Sequence, residues 1–85
     1  MNDAEILDLL KKALLEVAPG RAKDFENISV ETTIEELDID SVSTMEMVGF
    51  LEEQTDKTFP DEDLSRVHKL GDLATLIRGG RVGAA

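Results

Sequence analysis

Residues 40–54 read DSVSTMEMVGFLEEQ, and this stretch decides the fold. Its apolar residues recur three and four positions apart, as they do on one face of an α-helix. These residues are Met47, Phe50 and Leu51. Asp40 suits the start of a helix over residues 41–54, because its carboxylate can accept the free N–H groups of the first turn. Ser43 and Glu46 also have capping-box spacing, which would place the start a few residues later.

A first helix is predicted near the N-terminus by a single apolar stripe. The stripe consists of Ile6, Leu7, Leu10, Leu14 and Val17. Asn2 or Asp3 can cap this helix, and Pro19-Gly20 ends it, because proline and glycine interrupt helical geometry.

Two more helices are predicted after residue 54. A short third helix covers residues 61–66, where Pro60 suits the first turn. A fourth helix runs to the stop at Gly79-Gly80. Its apolar residues are Leu70, Leu73, Ala74, Leu76 and Ile77.

Residues 20–40 form a long connection with regularly spaced apolar residues. These are Phe25, Ile28, Val30, Ile34 and Leu37. We expect an ordered loop held against the core, with one short helical turn over residues 33–36. No strand pairing is indicated, so the sequence predicts an all-α fold. We expect a small four-helix bundle of three longer helices and a short third helix, with a long ordered loop between helices 1 and 2.

A chain of 85 residues makes a single domain, residues 1–85, which we expect to be ordered over about residues 3–78. The tail, residues 79–85, has nothing to bury and is expected to be flexible. The sequence contains no cysteine, which excludes disulfides and any thiol nucleophile of the polypeptide itself. The acidic N-terminus is unlike a signal peptide, and no apolar run is long enough to span a membrane, which favours the cytoplasm.

Acidic residues are concentrated in the middle of the chain. Residues 31–63 hold twelve acidic residues and one basic residue, Lys57, a net charge of −11, while the whole chain carries −10. Such a surface is unsuited to nucleic acid, whose binding requires clustered lysine and arginine. It suits basic protein partners, because complementary potentials speed encounter. The alternative is a solvated face that only keeps the chain soluble.

Ser41 is the candidate functional residue, because it opens the predicted helix inside this acidic segment. Near a helix start, unpaired N–H groups and the positive end of the helix dipole favour an anionic phosphate ester. The alternative is that Ser41 only caps the helix. A catalytic pair of Ser41 and His68 is disfavoured, since so small a bundle has little pocket to exclude water. A calcium loop starting at Asp38 is excluded, because Gly49 stands where its bidentate glutamate belongs, and no metal site is expected.

Two stretches resemble the acyl carrier protein family. Asp40-Ser41-Val42 looks like its Asp-Ser-Leu signature at the head of an acidic recognition helix. At a matching distance, residues 59–63, FPDED, resemble the stretch that opens the third helix of the family. The similarity covers about residues 5–78.

The resemblance implies that Ser41 carries 4′-phosphopantetheine, attached from coenzyme A by a phosphopantetheinyl transferase. The reactive sulfur of a cysteine-free chain would then arrive with its cofactor. The chain would be a monomeric carrier and not an enzyme. It would deliver acyl thioesters to enzymes of fatty-acid, polyketide or other specialised acyl metabolism. Positions that match the partner-binding surface, where basic patches dock, are Asp40, Val42, Met45, Glu46, Glu52, Glu53 and Asp56.

The departures from the family indicate a discrete, stand-alone, specialised carrier in place of the primary fatty-acid carrier. Asp38 stands where glycine is usual, and aspartate tolerates the left-handed region better than most residues, so we expect the turn to survive. Phe50 stands where a small residue is common and would fill space between helices, which favours short or polar acyl groups. Within the class, the alternative is an aminoacyl or D-alanyl carrier of the peptidyl type. Outside it, the alternative is an unmodified acidic helical adaptor.

Overall fold

The computed structural model describes residues 1–82, and these are helical as expected. The helices are α1 (Asp3–Val17), a 3₁₀ helix (Pro19–Phe25), α2 (Ile34–Leu37), α3 (Ser41–Thr55), α4 (Asp61–Leu64) and α5 (Leu70–Ile77). α1 packs mainly against α3 and also contacts the 3₁₀ helix and α5. The predicted bundle of three longer helices and one short helix is confirmed in α1, α3, α4 and α5. The long connection adds the 3₁₀ helix, which the sequence did not indicate.

Local hydrogen bonds set the start of α1. The Asn2 side chain accepts the N–H of Glu5 at 2.8 Å, and the Glu5 carboxylate accepts the N–H of Asn2 at 3.0 Å. The buried face of α1 consists of Ile6, Leu9, Leu10, Ala13 and Leu14. The predicted stripe is confirmed, since Ile6, Leu10 and Leu14 are buried and Leu7 and Val17 pack half-buried against the core at its edge. Leu9 and Ala13, which the stripe did not include, are also buried, so the buried face is wider than predicted.

The loop between α1 and α3 is ordered and packs against the core through Phe25, Ile28 and Leu37, which are buried. Val30 is an exception at 40% exposure. It contacts the rest of the molecule through its backbone, because its carbonyl accepts the N–H of Gly71 at 2.8 Å. A Cβ atom at position 71 would lie 2.9 Å from that oxygen, so this close approach requires glycine.

The chain after α5 is packed against the body of the protein as far as residue 82. Gly79 adopts φ 89°, which lets the chain leave the helix. The Nε of Arg81 then donates to the two carboxylate oxygens of Asp63 at 3.0 and 3.3 Å. Val82 is 5% exposed. The expectation that the tail has nothing to bury is wrong for Val82, and residues 83–85 lie outside the described part.

Two further differences concern the ends of elements. α4 stops at Leu64 and does not reach residue 66, since the N–H of Arg66 bonds to the Asp63 carbonyl in a tighter turn. The short turn in the loop forms one residue later than expected, because Thr33 is its cap. None of the helices within residues 1–82 has the length and apolar character that crossing a membrane requires.

Candidate functional site

The N-terminus of α3 presents Ser41 to solvent. Asp40 caps the helix: its carboxylate accepts the N–H of Ser43 at 2.7 Å. Its carbonyl accepts the N–H of Thr44 at 2.9 Å and the hydroxyl of Thr44 at 2.8 Å. These bonds start the helix at Ser41, so the later start suggested by Ser43 and Glu46 is wrong. They also leave the exposed Ser41 hydroxyl outside the capping interactions.

Asp40 is held in its ionised form beside this serine. The backbone N–H of Ser43, together with the Ser43 hydroxyl, holds the pKa of the Asp40 carboxyl below its ordinary value. In the same way, the backbone N–H of Thr33 and its hydroxyl lower the pKa of Glu36 in the first turn of α2. Both carboxylates lie at the positive end of a helix dipole, where negative charge is favoured.

The turn that precedes the site has the conformation expected of it. Asp38 has φ 51° and ψ 48°, in the left-handed region, and it ends α2. Its N–H donates to the carbonyl of Glu35 at 3.1 Å. The tolerance of aspartate for this region is therefore confirmed, although glycine would adopt it without steric cost.

The candidate partner-binding residues lie along α3. Val42 and Met45 are 69% and 60% exposed, so both apolar side chains lie on the surface of the helix. Four carboxylates are also exposed, those of Asp40, Glu46, Glu53 and Asp56. Their role in binding partners stays a prediction.

Glu52 differs from the other carboxylates of this helix, because it is half-buried. Its carboxylate accepts the backbone N–H of Phe59 at 2.7 Å. Glu52 therefore ties the end of α3 to the segment before α4. This structural role was not visible in the sequence, since the two residues are seven positions apart and separated by a turn.

An open groove of about 480 Å³ lies beside Ser41. Ile34, Thr44 and Met45 line it, and the same three residues line a deeper apolar cavity of about 80 Å³. The walls of the cavity further inside include Met47, Val48, Leu64 and Leu73. Phe50, which was expected to fill space between the helices, packs half-buried against the core and is not among the residues that line this cavity.

These features fit a phosphate ester on Ser41. The hydroxyl is exposed, it opens a helix of 15 residues, and a groove beside it offers room for an attached group. Within residues 1–82, His, Cys, Asp and Glu side chains form no cluster of three or more that could hold a metal ion.

Comparison with known proteins gives a consistent result. A family model described as the phosphopantetheine attachment site matches residues 5–77. Acyl carrier proteins of two strains of Rickettsia bellii are each 28% identical over 76 residues, which is 88% of this chain and 88% or 94% of theirs. An acyl carrier protein of Exiguobacterium sp. is 37% identical over 62 residues, 72% of this chain and 78% of its own.

No solved structure matches the chain. The family model nevertheless spans most of the sequence, and it covers the capped helix start with its exposed serine. The chain therefore belongs to the acyl carrier protein family, whose members carry 4′-phosphopantetheine.

Proposed function

We propose that Ser41 is the residue to which 4′-phosphopantetheine is attached, and that the chain carries acyl groups between enzymes of fatty-acid, polyketide or other specialised acyl metabolism. The observation that carries this proposal is the exposed hydroxyl of Ser41 at the first position of α3. When bound, the group supplies the thiol on which cargo is held as a thioester, a function for which this chain has no cysteine.

The helix end supports the choice of this serine. A phosphate ester at Ser41 would face the N-terminal N–H groups of α3 and the positive end of its dipole, an effect worth about 0.3–1 kcal/mol at an exposed site. The carboxylate of Asp40 is already occupied by the N–H of Ser43. Asp40 therefore fixes the start of the helix and leaves the Ser41 hydroxyl accessible to a transferase.

We further propose that α3 is the surface on which partner enzymes dock. Val42 and Met45 provide an apolar centre, and the surrounding carboxylates provide a charged rim, an arrangement typical of protein interfaces. The net charge of −11 over residues 31–63 favours partners with basic patches. Asp40, Glu46, Glu53 and Asp56 are expected to contribute mainly to the rate of encounter. Glu52 is expected to contribute less, because its carboxylate is engaged with Phe59.

Short acyl groups are the cargo that the apolar cavity favours. Its volume of about 80 Å³ is that of roughly three water molecules in the liquid. A longer chain would have to displace core side chains such as Met47 and Leu73, and close-packed interiors resist such displacement. The size of the cavity therefore supports the hypothesis of short cargo.

Intact mass spectrometry tests the attachment site. The chain is incubated with coenzyme A and a broad-specificity phosphopantetheinyl transferase, alongside Ser41→Ala and the neighbouring variant Ser43→Ala as a matched control. We expect the protein without substitution and Ser43→Ala each to gain the mass of one phosphopantetheinyl group. Ser41→Ala is expected to gain none. A gain of mass by Ser41→Ala, or no gain of mass by the protein without substitution, would show the proposal to be wrong.

NMR spectroscopy tests the cargo. The modified chain is loaded with straight acyl groups of increasing length, and amide shifts of Met47, Val48 and Leu73 are followed. We expect these shifts to stop growing after the first few carbons, because the cavity is then full. Shifts that continue to grow with chain length would contradict the preference for short cargo.

A further inference from the structure

Arg21 lies at a kink in the 3₁₀ helix, where its φ of −112° and ψ of 28° are not helical, and its guanidinium has four partners. Its Nε donates to Oδ2 of Asp24 at 2.9 Å. Its Nη2 donates to the carbonyl of Leu37 at 2.6 Å, and its Nη1 donates to the carbonyl of Asp38 at 3.0 Å. Its Cζ lies 5.2 Å from the centroid of the Phe25 ring, within reach of a cation–π interaction. The guanidinium therefore has one defined orientation.

The two carbonyls that Arg21 contacts belong to the end of α2 and the left-handed turn. The last carbonyls of a helix have no partner within that helix, and a cation there complements the dipole. Asp38 also holds a conformation that aspartate adopts at a steric cost, with φ 51°. A planar fork of N–H groups matches two neighbouring carbonyls, whereas a lysine would offer only a point charge.

The position of the turn links Arg21 to Ser41. On one side, Arg21 and Asp38 line an open hollow of about 460 Å³, so Asp38 is exposed there although Leu37 before it is buried in the core. On the other side, Asp38 lines the groove beside Ser41. Only Ile39 lies between Asp38 and Asp40, the residue that caps α3. A shift of the turn would therefore move the cap and the serine together.

We propose that Arg21 is a positioning residue for Ser41. Its guanidinium holds the Leu37–Asp38 turn so that α3 begins at Ser41 and the hydroxyl is presented at a fixed place. The inference rests on the proposed attachment at Ser41. In the transfer, the Ser41 oxygen forms a bond to the phosphorus of coenzyme A on the pantetheine side, the diphosphate bond breaks, and adenosine 3′,5′-bisphosphate leaves while the hydroxyl proton passes to a base of the transferase or to solvent. The hydroxyl oxygen must be aligned with that phosphorus, and a displacement of 1 Å in such alignments costs up to about 100-fold in rate.

Steady-state kinetics of the modification test this inference. We expect Arg21→Gln to lower kcat of the transferase about tenfold, because the hydroxyl is misplaced within the bound complex. KM is expected to stay the same, because the exposed surface of α3 is unchanged. Arg66→Gln is the matched control, since within residues 1–82 Arg66 pairs with Glu62 alone, on the surface, and the substitution is expected to leave both constants unchanged.

A second substitution separates positioning from general stability. Asp38→Gly removes the steric cost of the left-handed turn, so the turn depends less on Arg21. We expect Arg21→Gln combined with Asp38→Gly to regain most of the lost kcat. A role in stability alone would lower the melting temperature while kcat of the folded protein stayed the same, and that result would overturn the inference. A rise in KM with unchanged kcat would overturn it too, since Arg21 would then act on docking.

The design also distinguishes this inference from the proposed function. If the protein without substitution gains no mass, the proposed attachment at Ser41 is wrong. If the protein without substitution is phosphopantetheinylated and Arg21→Gln is phosphopantetheinylated with the same kcat, only the proposed role of Arg21 is wrong. Should Arg21→Gln not fold, Arg21→Lys keeps the charge and loses the fork, and an unchanged kcat in that variant overturns the inference.

Discussion

Removing the side chain of Arg81 is expected to destabilise the protein well beyond the loss of a surface ion pair. The Asp63 side chain is 0% exposed, whereas that of Arg81 is 60% exposed. The Nε of Arg81 donates to both oxygens of the Asp63 carboxylate. Arg81→Ala would leave this carboxylate buried without its cation, in a place where water compensates poorly.

The size of the effect follows from the burial of the two groups. Breaking a fully buried ion pair by removing one partner costs about 3–5 kcal/mol. Because Arg81 is largely exposed, water reaches the pair from its side, and we expect about 2 kcal/mol, less than that range. For a domain of this size, 1 kcal/mol corresponds to roughly 4–8 °C in melting temperature. The expected fall is therefore about 8–16 °C.

Urea and thermal unfolding, followed by circular dichroism, measure this effect. Arg78→Ala is the matched control, because Arg78 pairs with Asp3 and their side chains are 46% and 85% exposed. Such surface pairs contribute at most about 1 kcal/mol, so little change is expected. If the two variants lowered the free energy of unfolding by the same small amount, Asp63 would have to be hydrated, and the argument from its burial would be refuted.

Three other measurements test the packing and the charges. Gly71→Ala is expected to lower the free energy of unfolding, measured in urea, by about 1–3 kcal/mol, since its Cβ would lie 2.9 Å from the Val30 oxygen. Gly49 has open space around it, so Gly49→Ala is expected to raise the free energy of unfolding by up to about 1 kcal/mol. The reverse order of the two variants would contradict this packing. The pKa of Asp40 is lowered in the folded state. The stabilising effect of the Asp40 carboxylate is therefore complete above its ordinary pKa and is lost as the pH falls through its pKa in the folded state. The difference in melting temperature between the protein without substitution and Asp40→Ala should disappear in acid, and a difference that is constant with pH would contradict this role of Asp40. Raising sodium chloride from roughly 10 to 150 mM is expected to raise the melting temperature, because salt screens the repulsion among the twelve acidic residues of positions 31–63. An unchanged melting temperature would show that this repulsion is unimportant.

Much of the fold was predictable because helix boundaries depend on groups a few positions apart. Two capping bonds join residues three positions apart and so form within one turn, those of Asn2 with Glu5 and of Asp40 with Ser43. The period of the apolar residues identified the longer helices for the same reason. The end of α4 at Leu64 was missed where no local capping signal is present. The start of α2 was placed one residue early although Thr33 and Glu36 form a capping box there.

The sequence by itself determined the helical class of the protein, the acidic middle segment and the position of Ser41 at a helix start, since each depends on composition or on neighbouring residues. Only the tertiary structure decided that Asp63 is buried, that Arg21 reaches the turn before Ser41, and that Val82 packs against the core. Arg21 and Asp38 are 17 positions apart, and Asp63 and Arg81 are 18 apart. Such pairs meet only after the helices have packed, because the path of the intervening chain sets the distance between them.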